Sequence, residues 1–482
     1  MVALSLENVF GALSPETREY TIMGELSGHQ QQPALALGSN GGFMVWHHES
    51  DKQGSAGRLV IQSIKKGMVG VGLPAPLSQS SAGTREARPC ISLLANGGAV
   101  GAWETGPRGN RDVKVRFLSS SGLFTTSAIT ANQRVNGDQF NPAVTVLTGG
   151  VVIISWTSTG QDSSGNGIYA QRFSAGGAKI DGEFRVNEKT ELNQVQSSLT
   201  SLSGGRFVAV WVSETVDGTT PEGAPNLRGN LMGRLFESNG QPIGREYRIN
   251  HVDAVCSRPV VVALGGGFVV AWEQQDEQER SNATDIFVRS FDKAGVPSSQ
   301  EVRWNALVGG EQKNPALVVF QDDGLLVWEC EVQATNSCEV HARMLSGGAE
   351  FRVNKRVKYH QYQPVVGTDR GGNYLVAWVD FIIPRNSTLT ALQYSLSGRA
   401  DVTAGKHVSY EGPGASPLVL TAKTSAPKNP VASDILNRKL KQQLSVEFSA
   451  DEQSRQAALV AQLAAAAAAS GLLQQMAVEA QE

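Results

Sequence analysis

Seven of the eight tryptophans in this 482-residue chain close the same short phrase. The phrases are Gly42-Phe-Met-Val-Trp46, Gly98-Ala-Val-Gly-Ala-Trp103, Gly150-Val-Val-Ile-Ile-Ser-Trp156, Gly205-Arg-Phe-Val-Ala-Val-Trp211, Gly267-Phe-Val-Val-Ala-Trp272, Gly324-Leu-Leu-Val-Trp328 and Gly372-Asn-Tyr-Leu-Val-Ala-Trp378. Successive tryptophans lie 57, 53, 55, 61, 56 and 50 residues apart. A proline precedes each by 13 or 14 residues (Pro33, Pro89, Pro142, Pro259, Pro315 and Pro364), except that Ser197 stands before Trp211. A period of about 55 residues held this long demands one supersecondary unit per repeat, whose copies bury each other by stacking.

Each unit divides into four short extended segments. The first follows the proline, as in Pro142-Ala-Val-Thr-Val-Leu147. A Gly-Gly or Asp-Gly turn, such as Gly149-Gly150 or Asp323-Gly324, leads into the Trp-ended run. That dipeptide is hairpin chemistry, and the nearly all-apolar run reads as a strand buried on both faces. An alternating segment follows, for instance Ile168-Tyr-Ala-Gln-Arg-Phe173, and then Arg-Val-Asn or a close variant: Arg134 to Asn136, Arg185 to Asn187, Arg248 to Asn250, Arg303 to Asn305 and Arg352 to Asn354. Four antiparallel strands repeated seven times predict an all-β fold, a seven-bladed β-propeller spanning 18–411. A row of sandwich domains is the alternative, but each needs about 100 residues. Two segments could clasp the ring and cover its bare edge: Arg18 to Met23 before the first proline, or Lys406 to Tyr410 after the seventh unit.

The flanks are different material. Residues 1–17 form an N-terminal segment, 412–430 a Pro/Gly/Ser linker, and 431–482 an α-helical tail. The tail's second helix opens with the capping box Ser449-Ala-Asp-Glu452 and carries an apolar stripe of Leu459, Leu463, Leu473 and Met476. The repeat ring has no need of that stripe, so it is expected to be an assembly element for copies of this chain or for other proteins.

Composition narrows the function. With 42 Lys+Arg against 45 Asp+Glu, the net charge of −3 argues against a nucleic-acid partner. No run of 18 apolar residues is present to span a membrane, and residues 1–20 lack a secretory leader's basic and apolar regions. Phosphate-loop, nucleophile-elbow and zincin motifs are absent, and no cofactor is expected. His47 and His48, adjacent on a strand, point to opposite faces and cannot share a metal. Asp162, Ser164 and Asn166 alternate as calcium ligands do, yet supply one carboxylate, so a polar hairpin loop is favoured. Cys330 and Cys338 are read as free thiols, with a disulfide as the alternative; Cys90 and Cys256 fall in first-strand positions. The Arg-Val-Asn arginines are read as local partners within each unit, with a guanidinium ring around the propeller, able to hold an anionic ligand, as the other reading.

The phrase Phe184-Arg-Val-Asn … Gly-Gly-x-Phe-Val-Ala-Val-Trp211, with Gly-Ile-Tyr-Ala-Gln-Arg-Phe173 upstream, resembles repeats of large bacterial extracellular, adhesin-like proteins and of some tailed-phage virion proteins. The resemblance covers about residues 18–411 and implies an architecture without transferring a catalytic residue. It leads to the expectation of a non-enzymatic structural or attachment protein of a bacteriophage particle (capsid decoration, fibre or tail component). Such a protein is made in the host cytoplasm and partnered by other virion proteins. The alternatives are a secreted or surface ligand-binding propeller and, third, an enzyme with a site in the central channel.

Overall fold

The computed structural model describes residues 13–396, apart from 25, 51–56, 79–83, 220–224, 276–283, 333–336, 358 and 384–385. The linker, the helical tail with Leu459, Leu463, Leu473 and Met476, and the segment from Lys406 to Tyr410 lie outside the described residues.

Each repeat unit folds as an up-and-down antiparallel sheet. In the third unit the strands are Gln139–Val146, Val152–Thr159, Asn166–Phe173 and Lys179–Arg185, hydrogen-bonded in chain order. Units two to six each form a separate four-stranded sheet, five in all. Units one and seven do not form separate sheets as expected. A single parallel bridge, Ser387 to His29, merges them into one nine-stranded sheet. The Ser387 hydroxyl reinforces this bridge, accepting from Gln30 N–H and donating to Gln30 C=O, both at 3.0 Å. The architecture is an all-β propeller.

The tryptophans explain how the units hold together. All seven lie in second strands and are at most 1% exposed. Seven apolar clusters each draw on two neighbouring units and contain the tryptophan of the later one. Trp272, for example, packs with Val208, Val210 and Val212 of the unit before it. Trp46 packs with Leu375, Ala377 and Val379 of unit seven, so the cycle closes. The first strands form the inner wall: each lies beside the next, and His360–Thr368 returns to His29–Gly38.

Unit seven takes its outer strand from the other end of the chain. Leu13–Pro15 and Tyr20–Thr21 pair antiparallel with Asn386–Leu396, so pairing begins inside the 1–17 segment. Ile22 N–H then bonds Leu389 C=O at 3.1 Å, matching Ile249 to Leu231 at 2.9 Å and Val186 to Ile168 at 2.8 Å. Of the two candidate clasps, the N-terminal one is in place.

The Arg-Val-Asn signature belongs to a wider motif, Glu-x-Arg-x-Asn, on the outer strands. The asparagine Oδ1 accepts a third-strand N–H of its own unit: Ile168 to Asn187 at 2.7 Å, Leu231 to Asn250 at 2.8 Å, Ile286 to Asn305 at 2.8 Å and Val340 to Asn354 at 2.7 Å. In unit two that acceptor is Asn132, bonded by Val113 at 2.9 Å. The expected triplet from Arg134 to Asn136 is therefore four residues out of register. The glutamate reaches the preceding unit. Glu183 accepts from Gln133 N–H at 2.6 Å, Glu246 from Glu188 at 2.7 Å, Glu350 from Ala306 at 2.5 Å, and Glu301 from His251. Glu19 of the clasp does the same for Lys355.

Candidate functional site

Every first strand is broken at one place. The register slips between Gln31 and Ala34, Ala87 and Cys90, Phe140 and Ala143, Val195 and Ser198, Ser257 and Val260, Lys313 and Ala316, and Tyr362 and Val365. At each slip one polar residue takes a positive φ between 48° and 57°: Gln32, Arg88, Asn141, Gln196, Arg258, Asn314 and Gln363. A non-glycine residue there costs about 1–2 kcal/mol, so seven copies need compensation.

The compensation is a closed belt of hydrogen bonds around the inner wall. The bulge N–H of each unit donates to a side chain of the unit before it. Gln32 bonds Gln363 Oε1 at 2.7 Å, Arg88 bonds Gln32 Oε1 at 2.8 Å, and Asn141 bonds Glu104 Oε2 at 3.0 Å. Gln196 bonds Thr157 Oγ1 at 3.4 Å and Arg258 bonds Gln196 Oε1 at 2.9 Å. Asn314 bonds Glu273 Oε1 at 2.6 Å, and Gln363 bonds Glu329 Oε1 at 2.5 Å. Four acceptors (Glu104, Thr157, Glu273 and Glu329) immediately follow a repeat tryptophan. Strand alternation explains this: the tryptophan turns toward the preceding unit, so its successor turns toward the next.

Three buried glutamates therefore sit on one ring with two half-exposed arginines. Arg88 faces Glu104 at 3.8 Å and Arg258 faces Glu273 at 3.5 Å. Arg111 bridges Glu104 at 3.3 Å and Asp138 at 3.0 Å. Asn314 joins the other two glutamates, with its N–H on Glu273 and its Nδ2 on Glu329 Oε1 at 2.6 Å. Its Oδ1 accepts from Arg258 Nη1. Ser257 occupies Glu273 Oε2 at 2.7 Å. Five of the six carboxylate oxygens are thus engaged. Among the described residues, Glu329 Oε2 has no partner. Burial pushes Glu329 above the usual carboxylate range, outweighing the Gln363 N–H, the Asn314 amide and the Arg258 charge. With Asp138 cancelling Arg111, the two remaining guanidinium groups balance the glutamates when Glu329 keeps its proton.

The other sequence candidates lie elsewhere. Three of the outer-strand arginines pair locally: Arg248 with Asp253 at 2.9 Å, Arg303 with Asp285 at 3.6 Å and Arg352 with Glu339 at 3.4 Å. Asn166 turns to Asn193 and Thr159 rather than converging with Asp162 and Ser164. All four cysteines are free thiols. Sequence reasoning missed the belt, although two signals mark it. The residue before each first-strand proline, or before Ser197, is always polar, and Trp-Glu occurs in three units.

No family model and no curated protein matches the chain. Among solved structures it resembles a GH93 alpha-L-arabinofuranosidase of Fusarium graminearum in complex with arabinobiose. That pair shares 10% identity, with a TM-score of 0.48 and 79% of this chain and 98% of that one covered. An alpha-L-arabinanase of Penicillium chrysogenum complexed with arabinobiose is also 10% identical, with a TM-score of 0.44 and coverages of 80% and 99%. A sialidase of Trypanosoma rangeli gives 11% identity, a TM-score of 0.40 and coverages of 69% and 57%. The expected non-enzymatic phage-particle protein is corrected on this finding, because the neighbours named for an activity are propeller glycosidases.

Proposed function

We propose that this chain is a propeller hydrolase that cleaves glycosidic bonds at the polar belt, with Glu329 as proton donor. The observation carrying this reading is the Glu329 carboxyl, buried, raised in pKa and with Oε2 unpartnered among the described residues. Acetal hydrolysis asks for a proton on the leaving oxygen and a water for the departing carbon, which suits a site built from carboxyl groups. Gln32, Gln196, Asn141, Arg88 and Arg258 add amide and guanidinium groups of the kind that orient hydroxyl-rich ligands. Asn141 Oδ1 is buried without a partner, as an acceptor awaiting a ligand hydroxyl would be. On this reading the nine-stranded sheet counts as two blades, for seven in all. The seven belt links and seven inter-unit cores support that count.

The test is turnover by the full chain on a panel of aryl glycosides and polysaccharides that includes arabinan and sialosides. Glu329→Gln is expected to lower kcat by at least about 100-fold with unchanged circular dichroism. Activity retained in the variant overturns the assignment of Glu329, and a wild type inert on the whole panel overturns the reading. A second reading, sugar binding without turnover, is favoured by one observation: each belt glutamate also accepts an inter-unit backbone N–H. Calorimetric binding by an inert wild type selects it.

A further inference from the structure

Two N–H groups converge on one oxygen of Glu329. Gln363 N–H reaches Oε1 from unit seven at 2.5 Å, and Asn314 Nδ2 reaches it within unit six at 2.6 Å. Chemistry fixes which Asn314 atom faces the carboxyl. The asparagine Oδ1 accepts from Arg258 Nη1 of unit five, and a guanidinium only donates, so the amide nitrogen must turn to Glu329. The Asn314 N–H, donated to Glu273 Oε1 at 2.6 Å, pins the backbone that carries this amide. Its φ of 51° is a conformation that asparagine tolerates better than most side chains. Arg258, Asn314 and Glu329 thus form one directed chain across two sheets, with Glu329 at its accepting end.

We infer that Arg258 is a positioning residue that, through Asn314, holds the Glu329 proton on Oε2. A carboxyl oxygen bearing the proton keeps a single in-plane lone pair and cannot accept two N–H groups, whereas the carbonyl oxygen has two lone pairs and can. Oε1 is therefore the carbonyl oxygen. The proton is left to Oε2, the atom with no partner among the described residues. The surrounding groups agree with a neutral carboxyl. Burial is the largest influence and, with Glu273, raises the Glu329 pKa against the two N–H groups and the Arg258 charge. Cys338 on the adjacent third strand stays a neutral thiol, pushed up to about 12 by burial and by Glu329 and Glu331. The site of the proton is a property of the folded chain, while its use rests on the hydrolase reading above. In that use the leaving oxygen keeps the electron pair of the breaking C–O bond and takes the Oε2 proton. Water bonds the carbon and yields a proton to solvent, from which Oε2 is reprotonated, so one water is added in all.

The experiment is infrared difference spectroscopy of the full-length wild type against Glu329→Gln at pH 5, which isolates the C=O stretch of the protonated Glu329 carboxyl. The inference expects the low-frequency band of a carbonyl that accepts two hydrogen bonds. Asn314→Asp keeps the side-chain shape but sets an acceptor against Oε1. It should draw the proton there and move the band to the high frequency of an unbonded carbonyl. Arg258→Met releases the amide and also moves the band up, while Arg258→Lys, which likewise only donates, restores it. A wild-type band that is absent or at the unbonded position, or one that Asn314→Asp leaves unmoved, overturns the inference. On a glycoside that the wild type turns over, Asn314→Asp should lower kcat about 100-fold with KM little changed. An active wild type whose Asn314→Asp variant keeps its kcat overturns the inference and leaves the hydrolase reading standing. Bands that move as expected in a protein inert on every glycoside overturn the hydrolase reading and leave the proton on Oε2. Should Asn314→Asp fail to fold, the wild-type band and the two Arg258 variants decide, and an Arg258→Met band identical to the wild type overturns the inference.

Discussion

Glu329 shows what a single belt position does to a side chain. Its burial makes ionisation costly, while Oε1 stays tied to the Gln363 N–H and the Asn314 amide. Because the folded pKa is raised, the stability linked to its proton is fully present below the ordinary carboxylate value. It is lost as pH rises through the folded value. Glutamine keeps the acceptor and carries no charge, so Glu329→Gln should melt at or above the wild-type temperature at pH 8 while losing turnover. Calorimetry at pH 5 and pH 8 checks this, and a variant destabilised more at pH 8 than at pH 5 contradicts it. The tryptophans answer to a different force. Trp272 is fully buried between units four and five, with its Nε1–H bonded to Gln274 Oε1 at 3.0 Å. Trp272→Ala should cost about 3–5 kcal/mol in urea unfolding, through lost burial and the cavity left behind.

At the scale of elements, the outer strand is a connector rather than a ligand surface. Its asparagine ties the strand to its own sheet and its glutamate ties it to the sheet before. Arginines of the third strands add a further tie. Arg234 donates to Val186 C=O at 3.3 Å, Arg289 to Ile249 C=O at 2.7 Å and Arg343 to Trp304 C=O at 2.9 Å, each on the preceding unit. Asn250 is buried, and its Oδ1 accepts the Leu231 N–H. Asn250→Ala should therefore destabilise by about 1–3 kcal/mol, since a buried donor loses its partner. A denaturant melt reads this directly, and a loss under about 0.5 kcal/mol would show that water replaces the amide.

For the whole molecule, the seam between units one and seven is where the ring depends on the N-terminus. Ile22 and Met23 are buried in the seam core, and Tyr20 Oη donates to Met68 C=O of unit one at 2.6 Å. Gln393 Nε2 reaches both Tyr20 Oη and Gly67 C=O, at 2.9 and 3.1 Å. A chain lacking residues 1–23 loses those two side chains from the seam core, uncovering the apolar residues packed against them, and leaves Asn386–Leu396 as a bare edge. It should lose at least about 3 kcal/mol and gain a tendency to self-associate through that edge. Thermal melts with light scattering test this; an unchanged melt would show the clasp to be dispensable.

Much of this was legible in the sequence because it is local and periodic. The Gly-to-Trp phrase sets a hairpin and a buried second strand, and its period sets the number of units. The alternation past the variable loop sets the third strand. What stayed illegible depends on partners far apart in the chain. The belt joins Gln32 to Gln363, 331 residues away, and the clasp joins Lys355 to Glu19 across 336. No window of sequence reports such pairs. Nor does it report that a polar residue before a proline adopts a left-handed backbone to meet the next sheet. The merging of the first and last units turns on one bridge between Ser387 and His29, which only ring closure brings together. The chemical difference between Glu104, Glu273 and Glu329 is of the same kind. All three follow a tryptophan, but Arg111, Ser257 and Arg258 reach only the first two directly, and packing of neighbouring sheets leaves one oxygen of the third unpartnered.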